Sequence, residues 1–204
     1  MTVLYLGDIP ADPFAVAPPD GLALSDFTLA EASLVAPSGD VVPVEAEISV
    51  DIVLVDVGPT SPFDEAGLWR IRIVVSSATA RATFPDARLV IDDPDSEWHT
   101  LATARDEWPG SKTSITDVKL HRLLEIARRD CLTWGPELVD AAGLPLPVPG
   151  PWLEAQLKQA RNILNAAQAS TQQVDPDMSS YEPRPMDWWV KQLIRPDSGR
   201  PILA

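Results

Sequence analysis

The chain is poor in the residues that carry most protein chemistry: its 204 residues include one cysteine, two histidines and two tyrosines. A single thiol, Cys131, excludes an internal disulfide framework and suits a reducing compartment. With only His99 and His121, no His-Glu-x-x-His pattern and no Cys-x-x-Cys, a zinc site lacks its usual ligands. A glycine-rich phosphate loop and a Gly-x-Ser-x-Gly elbow are missing as well. No apolar run nears the ~20 residues that cross a bilayer, and the N-terminus lacks the basic start and apolar stretch of a signal peptide. A soluble protein made inside the cell, without a membrane partner, is the expectation. Bases are scarce too, 16 against 30 acids, for a net charge of -14. That disfavours whole-surface nucleic-acid binding, because affinity for phosphates rests on Lys and Arg displacing counterions. What the chain does have in excess is proline, 21 residues, and tryptophan, 7. Otherwise it has an ordinary composition and the length of one large or two small domains.

The charge is unevenly placed. Residues 1–100 hold 17 acids and 4 arginines, a net -13, whereas residues 101–204 hold 13 acids and 12 bases, a net -1. Two modules with different surroundings follow from that split. From Leu22 to Ile91 short β-branched runs alternate with turn residues: Phe27–Val35, Val41–Val44, Ile48–Val57, Leu68–Val75 and Arg81–Ile91. Strands at this spacing predict a small sandwich or barrel. Along Trp69-Arg-Ile71-Arg-Ile73 the period of two puts the apolar residues on one face and both arginines on the other. The lead-in Asp64-Glu65-Ala66-Gly67-Leu68-Trp69 resembles the corner that opens a late strand of immunoglobulin-like domains, with Trp69 in place of the usual tyrosine. Either the indole N–H bonds the backbone upstream as the tyrosine hydroxyl does, or that bond is absent. The plainer alternative is an unspecified β-sandwich or barrel.

Asp92-Asp-Pro-Asp-Ser-Glu97 carries four carboxylates in six residues, which could hold Ca2+. The spacing fits no EF-hand, and a solvated linker that caps the next helix is the stronger reading. A first helix over 96–108 sets Trp98, Leu101, Ala102, Arg105 and Trp108 at helical spacing and stops at Pro109-Gly110. A second runs from Thr116 to Trp134 with Leu120, Leu123, Leu124, Ala127, Cys131 and Trp134 on one face; Ser114 with Asp117, or Thr116 alone, caps it. The stretch Leu144-Pro-Leu-Pro-Val-Pro-Gly-Pro151 has proline at every second position and reads as a stiff extended connector. Pro151 then opens a third helix, Trp152–Ala169, with Leu153, Leu157, Ala160, Leu164 and Ala167 on its stripe. A short helix over 186–195 ends before Pro196, and its adjacent Trp188 and Trp189 point to different sides.

Glu97-Trp98 to Arg105-Asp-Glu-Trp108, then Leu123-Leu-Glu-Ile-Ala-Arg128, then Leu153-Glu-Ala-Gln-Leu157 to Ala166, then Pro185-Met-Asp-Trp188 to Leu193-Ile-Arg-Pro196, taken in that order, resemble the head-to-tail connector (adaptor) proteins of long-tailed phages, especially those infecting actinobacteria. The resemblance covers residues 97–204, about half the chain; the β half has no counterpart in the minimal helical connector. It implies a non-enzymatic virion protein without cofactor or metal, forming a dodecameric ring beneath the portal protein in the neck, after assembly in the host cytoplasm. Its partners are then other copies of itself, the portal, the next neck or tail-completion protein, and genomic DNA in transit only. The expected fold is α+β in two domains. These are a Pro-rich arm (1–21), an immunoglobulin-like sandwich (22–92), a helical connector domain (97–170) and an extended C-terminal docking arm (171–204) with its short helix. A bulky sandwich would obstruct a DNA channel, so the β half is expected outside the neck. Because aromatics and arginine dominate interface anchors, the candidate contact residues are Trp98, Trp108, Arg161, Met186, Trp188, Trp189, Leu193, Arg195, Ile202 and Leu203. A C-terminal helix folded back on its own bundle is the competing possibility. So is a second class of function, an immunoglobulin-like module that binds a carbohydrate or surface protein and is oligomerised by its helices. Cys131 lies on an apolar stripe, about 280° around the helix from His121, so the two do not form a nucleophile and base pair. Paired carboxylates are too common in so acidic a chain to point to glycosidase chemistry.

Overall fold

The computed structural model describes residues 4–108, 115–172 and 186–196, with side chains to residue 168 in the long helix. The fold is α+β, a strand-rich curled sheet and, among the described residues, four helices. The chain divides into two compact units, residues 1–94 and 95–204.

The first unit contains β1 (Leu4–Tyr5), β2 (Phe14–Val16), β3 (Leu29–Val35), β4 (Val41–Ser49), β5 (Ile52–Asp56), β6 (Gly67–Ser76), β7 (Arg81–Thr83) and β8 (Ala87–Asp92). Their order is β1-β8-β6-β3-β4-β5-β2, with β7 also on β6. All pairings are antiparallel except β1 with β8. The curl comes from β4, which pairs with β3 through Val44 and with β5 from Glu45 onward. One apolar cluster fills the concave side, drawing Leu34 from β3, Val53 and Val55 from β5, and Trp69, Ile71 and Ile73 from β6. The period of two predicted for β6 holds: its three apolar residues are at most 4% exposed, while Arg70 and Arg72 face outward beside Asp86 at 3.7 and 3.8 Å.

Three expectations for this half change. Residues 1–21 are not wholly an arm, since β1 and β2 lie in them as the two ends of the sheet order. Their prolines fall outside those short strands, where no ladder N–H is needed. Val41–Val44 and Ile48–Val57 are instead one long strand and one short one, divided by a turn at Val50-Asp51 where Val50 has φ +48. The predicted strand Arg81–Ile91 breaks into β7 and β8 around Pro85.

The second unit contains α1 (Leu101–Glu107), α2 (Asp117–Trp134), α3 (Gly150–Gln172) and α4 (Trp188–Ile194). Helix α1 starts five residues later than predicted. The acidic linker does not cap it; Thr100 does, its hydroxyl accepting from the Thr103 N–H while the Thr103 hydroxyl accepts from the Thr100 N–H. Thr116 caps α2 through the Lys119 N–H, and Ser114 lies outside the described residues. Arg105 on α1 pairs with Asp117 and donates to the Ile115 carbonyl, which ties the start of α2 to α1. Trp134, expected on the buried stripe of α2, is 40% exposed at the helix end. On α3 the buried side is broader than the predicted stripe. Trp152, Ala155, Gln156, Gln159 and Ala160 are buried, whereas Ala167 is exposed and Leu153 only half-buried. The proline-alternating connector folds back as a hairpin, with Val139 opposite Pro145 and the Leu146 N–H donating to the Leu138 carbonyl.

Candidate interaction surface of the helical unit

The side chains singled out in the sequence divide into a core group and a surface group. Trp98 precedes α1 and is buried with Cys131, Trp152, Ala155, Val190 and Ile194, with Met186 and Leu193 packed at the edge of that cluster. The Trp98 and Trp152 rings stand 6.3 Å apart, and the Arg128 guanidinium lies 5.6 Å from the Trp98 centroid. Helix α4 therefore folds back on its own bundle through Val190 and Ile194, 1% and 3% exposed. The picture of residues 186–195 as part of an extended arm is corrected accordingly. The physical reason is period: Val190 and Ile194 are one turn apart and make a narrow apolar stripe that Trp98 and Trp152 complete. Ile202 and Leu203 lie outside the described residues.

The surface group surrounds that helix. Trp188 and Trp189 are 44% and 62% exposed and meet edge to face at 4.9 Å between centroids. Trp134, at the end of α2, lies under Lys191 Nζ at 4.5 Å and the Arg195 guanidinium at 5.8 Å. Arg195 also donates to the Gly135 carbonyl, one of the helix-end acceptors that α2 leaves unfilled. Arg161 on α3 stacks on Trp108 at 5.2 Å and donates to the Glu107 carbonyl. Between α3 and α4 a groove of about 530 Å3 is lined by Lys158, Arg161, Asn162, Asn165, Asp187, Trp189 and Val190. The structure thus brings Arg161 and Trp189 to one site and leaves Trp98 elsewhere, in the core.

Sequence reasoning missed the buried amides. Gln156 accepts from the His99 N–H and donates to the Leu124 carbonyl, both at 3.1 Å, and Gln159 donates to Asp130 at 2.8 Å. These three bonds join α3 to α2 and to the segment before α1. The titratable groups are shaped by burial. It lowers the pKa of His99 against the opposing pull of Glu107, and lowers that of His121 with Glu125 opposing. It pushes the Cys131 thiol up to about 12, which leaves it protonated and unreactive near neutrality. Among the described residues no three His, Cys, Asp or Glu side chains gather closely enough to hold a metal ion. No helix among them is long and apolar enough to cross a membrane. What this surface offers chemically is therefore stacking, cation contact and hydrogen-bond donation.

Compared with known proteins, the chain matches no family model and no curated relative.

Proposed function

We propose that the chain is a structural protein of the phage neck, which forms a ring beneath the portal, joins the DNA-filled head to the tail and lets DNA pass. The observation that carries this reading is the agreement between sequence blocks and elements. Each of the four connector-like blocks in residues 97–204 contains or overlaps one helix, in the same order: α1, α2, α3 and α4. All three tryptophans with large exposure, Trp134, Trp188 and Trp189, sit on this half. A ring subunit needs such anchors on the faces that meet its neighbours. The reading includes a dodecamer, contacts to the portal and to the next neck or tail-completion protein, and a place in the virion after assembly in the host cytoplasm. It needs no enzymatic step and no cofactor.

The β unit fits an immunoglobulin-like sandwich as a separate domain. Its antiparallel order β8-β6-β3-β4 on one side and β4-β5-β2 on the other follows the pairing logic of that fold. The Trp69 indole N–H donates to the Glu65 carbonyl at 2.9 Å, four residues upstream, as the tyrosine of the usual corner does. This pairing also favours the second reading, an immunoglobulin-like module that binds a carbohydrate or surface protein.

Electron microscopy of the purified protein, alone and mixed with the portal of its own phage, separates the two. Rings, either free or formed on the portal, are the expected result. A monomer that ignores the portal and binds glycans sinks the neck assignment. Deleting residues 197–204, which leaves α4 and its core contacts in place, is expected to leave DNA-filled heads without tails; infectious particles would contradict the docking role proposed for Ile202 and Leu203.

A further inference from the structure

We propose that copies of this chain join by seating the proline-rich hairpin of one copy, residues 138–149, in the α3–α4 groove of the next. This contact rests on the ring reading and supplies the subunit interface that a ring requires.

The outgoing strand of the hairpin has no backbone donor left to offer. The N–H groups of Leu144, Leu146 and Val148 donate to the Asp140 carboxylate, the Leu138 carbonyl and the Glu97 carboxylate at 2.8, 2.9 and 3.0 Å. Pro145, Pro147 and Pro149 stand between them and carry no N–H at all. Leu138 and Val148 anchor the hairpin on the Trp98 cluster, and toward its tip the side chains are apolar and uncovered, Leu144 at 62% and Leu146 at 44%. From Gly135 to Trp152 the only charges are Glu137 and Asp140, both negative. Such a strand calls for a partner rich in donors, with positive charge and an aromatic wall.

The groove has those properties. Lys158, Arg161 and the Trp189 indole are donors only, and Asn162 and Asn165 add two amides. The one acid among its described lining residues, Asp187, is engaged in capping α4. Lys158 shares its charge with Glu154 at 2.8 Å, an exposed pair that costs little to give up. Trp189 is the most exposed tryptophan described and forms the wall. Extended proline-rich chains favour aromatic-walled grooves because a stiff backbone loses little entropy when it docks. At about 530 Å3 the groove has the size of an ordinary ligand site. Charge and hydrogen-bonding capacity are therefore complementary between two different surfaces of one chain. A contact of that kind repeats head to tail and closes into a ring when the rotation allows.

Wild type, Trp189→Asp and the double variant Leu144→Asp/Leu146→Asp are compared by analytical ultracentrifugation, with thermal melts to verify folding. All the substituted side chains are exposed. Wild type is expected to form oligomers larger than dimers, and each variant to stay monomeric. An equal mixture of the two variants is expected to stop at dimers, because one intact hairpin then faces one intact groove and nothing further can add. Oligomers in either variant alone, or a mixture that stays monomeric, overturn this contact; rings that persist in a variant leave the neck reading standing. A wild type monomeric at its highest soluble concentration also overturns the contact, while ring formation on the portal decides the neck reading separately. Should an Asp variant fail to fold, Trp189→Cys with Leu146→Cys in one chain is treated with a bismaleimide. A ladder of covalent oligomers is expected, and its absence refutes the contact.

Discussion

Individual side chains in this protein reconcile local costs with the needs of a core. Trp69 is fully buried and packs edge to face on Phe63 at 5.3 Å while its indole N–H reaches Glu65. Trp69→Phe keeps a ring but loses that bond and leaves a gap, and is expected to cost ~2–4 kcal/mol in denaturant unfolding. Val50 is the reverse case, a β-branched residue at φ +48 and 84% exposed. Left-handed backbone costs such a residue ~1–2 kcal/mol, so Val50→Asn is expected to raise stability by about 1 kcal/mol. Unchanged stability would mean that the turn relaxes without strain. The histidines set a pH dependence. Burial lowers the pKa of both His99 and His121 in the fold, so the unfolded chain takes up protons first as pH falls below the ordinary 6.5. Their contribution is complete above that value and is lost progressively below it. Urea midpoints measured between neutral and mildly acidic pH are expected to fall, and to fall less in His99→Gln. Cys131, with its thiol held near 12, is expected to resist iodoacetamide in the native protein and to react once unfolded.

At the scale of elements, apolar period decided what was legible. The face of β6 and the stripe Leu120, Leu123, Leu124, Ala127 and Cys131 of α2 were readable, because burial there follows the period of strand and helix. β1 and β2 were not, since two and three residues carry no period. The start of α1 was misread because Trp98 continues its apolar spacing, yet Thr100 and Thr103 satisfy the first N–H groups and fix the boundary. On α3 the buried face includes Gln156 and Gln159, polar residues that a hydrophobicity pattern assigns to solvent. The Gln156 amide meets the His99 N–H and the Leu124 carbonyl, and the Gln159 NH2 meets Asp130, partners on other segments that no reading of α3 alone reveals. Gln156→Leu keeps the volume but strands the His99 N–H, while the Leu124 carbonyl, inside α2, keeps its helical bond. It is expected to destabilise the helical unit by ~1–3 kcal/mol, measured by thermal unfolding. A neutral substitution would show that water replaces the amide. The groove beside α3 was legible only as separate residues, Arg161 and Trp189, because α4 folding back is what brings them together.

At the scale of the molecule, the buried clusters among the described residues include one within the curled sheet and one centred on Trp98 and Trp152, which have no residue in common. Two cores of this kind are expected to unfold as two calorimetric transitions. Trp69→Phe then lowers one and Gln156→Leu the other, whereas a single cooperative peak shifted by both would show that the units are energetically coupled. The period-two prolines matter at this scale for a different reason. A chain concentrated in many copies at one assembly site risks strands of one molecule copying themselves onto the next until fibres grow. Pro145, Pro147 and Pro149 interrupt that templating, because each incoming strand would need N–H groups that the edge does not have. The same spacing that suits the proposed groove contact makes this hairpin a poor template for strand-to-strand growth between molecules.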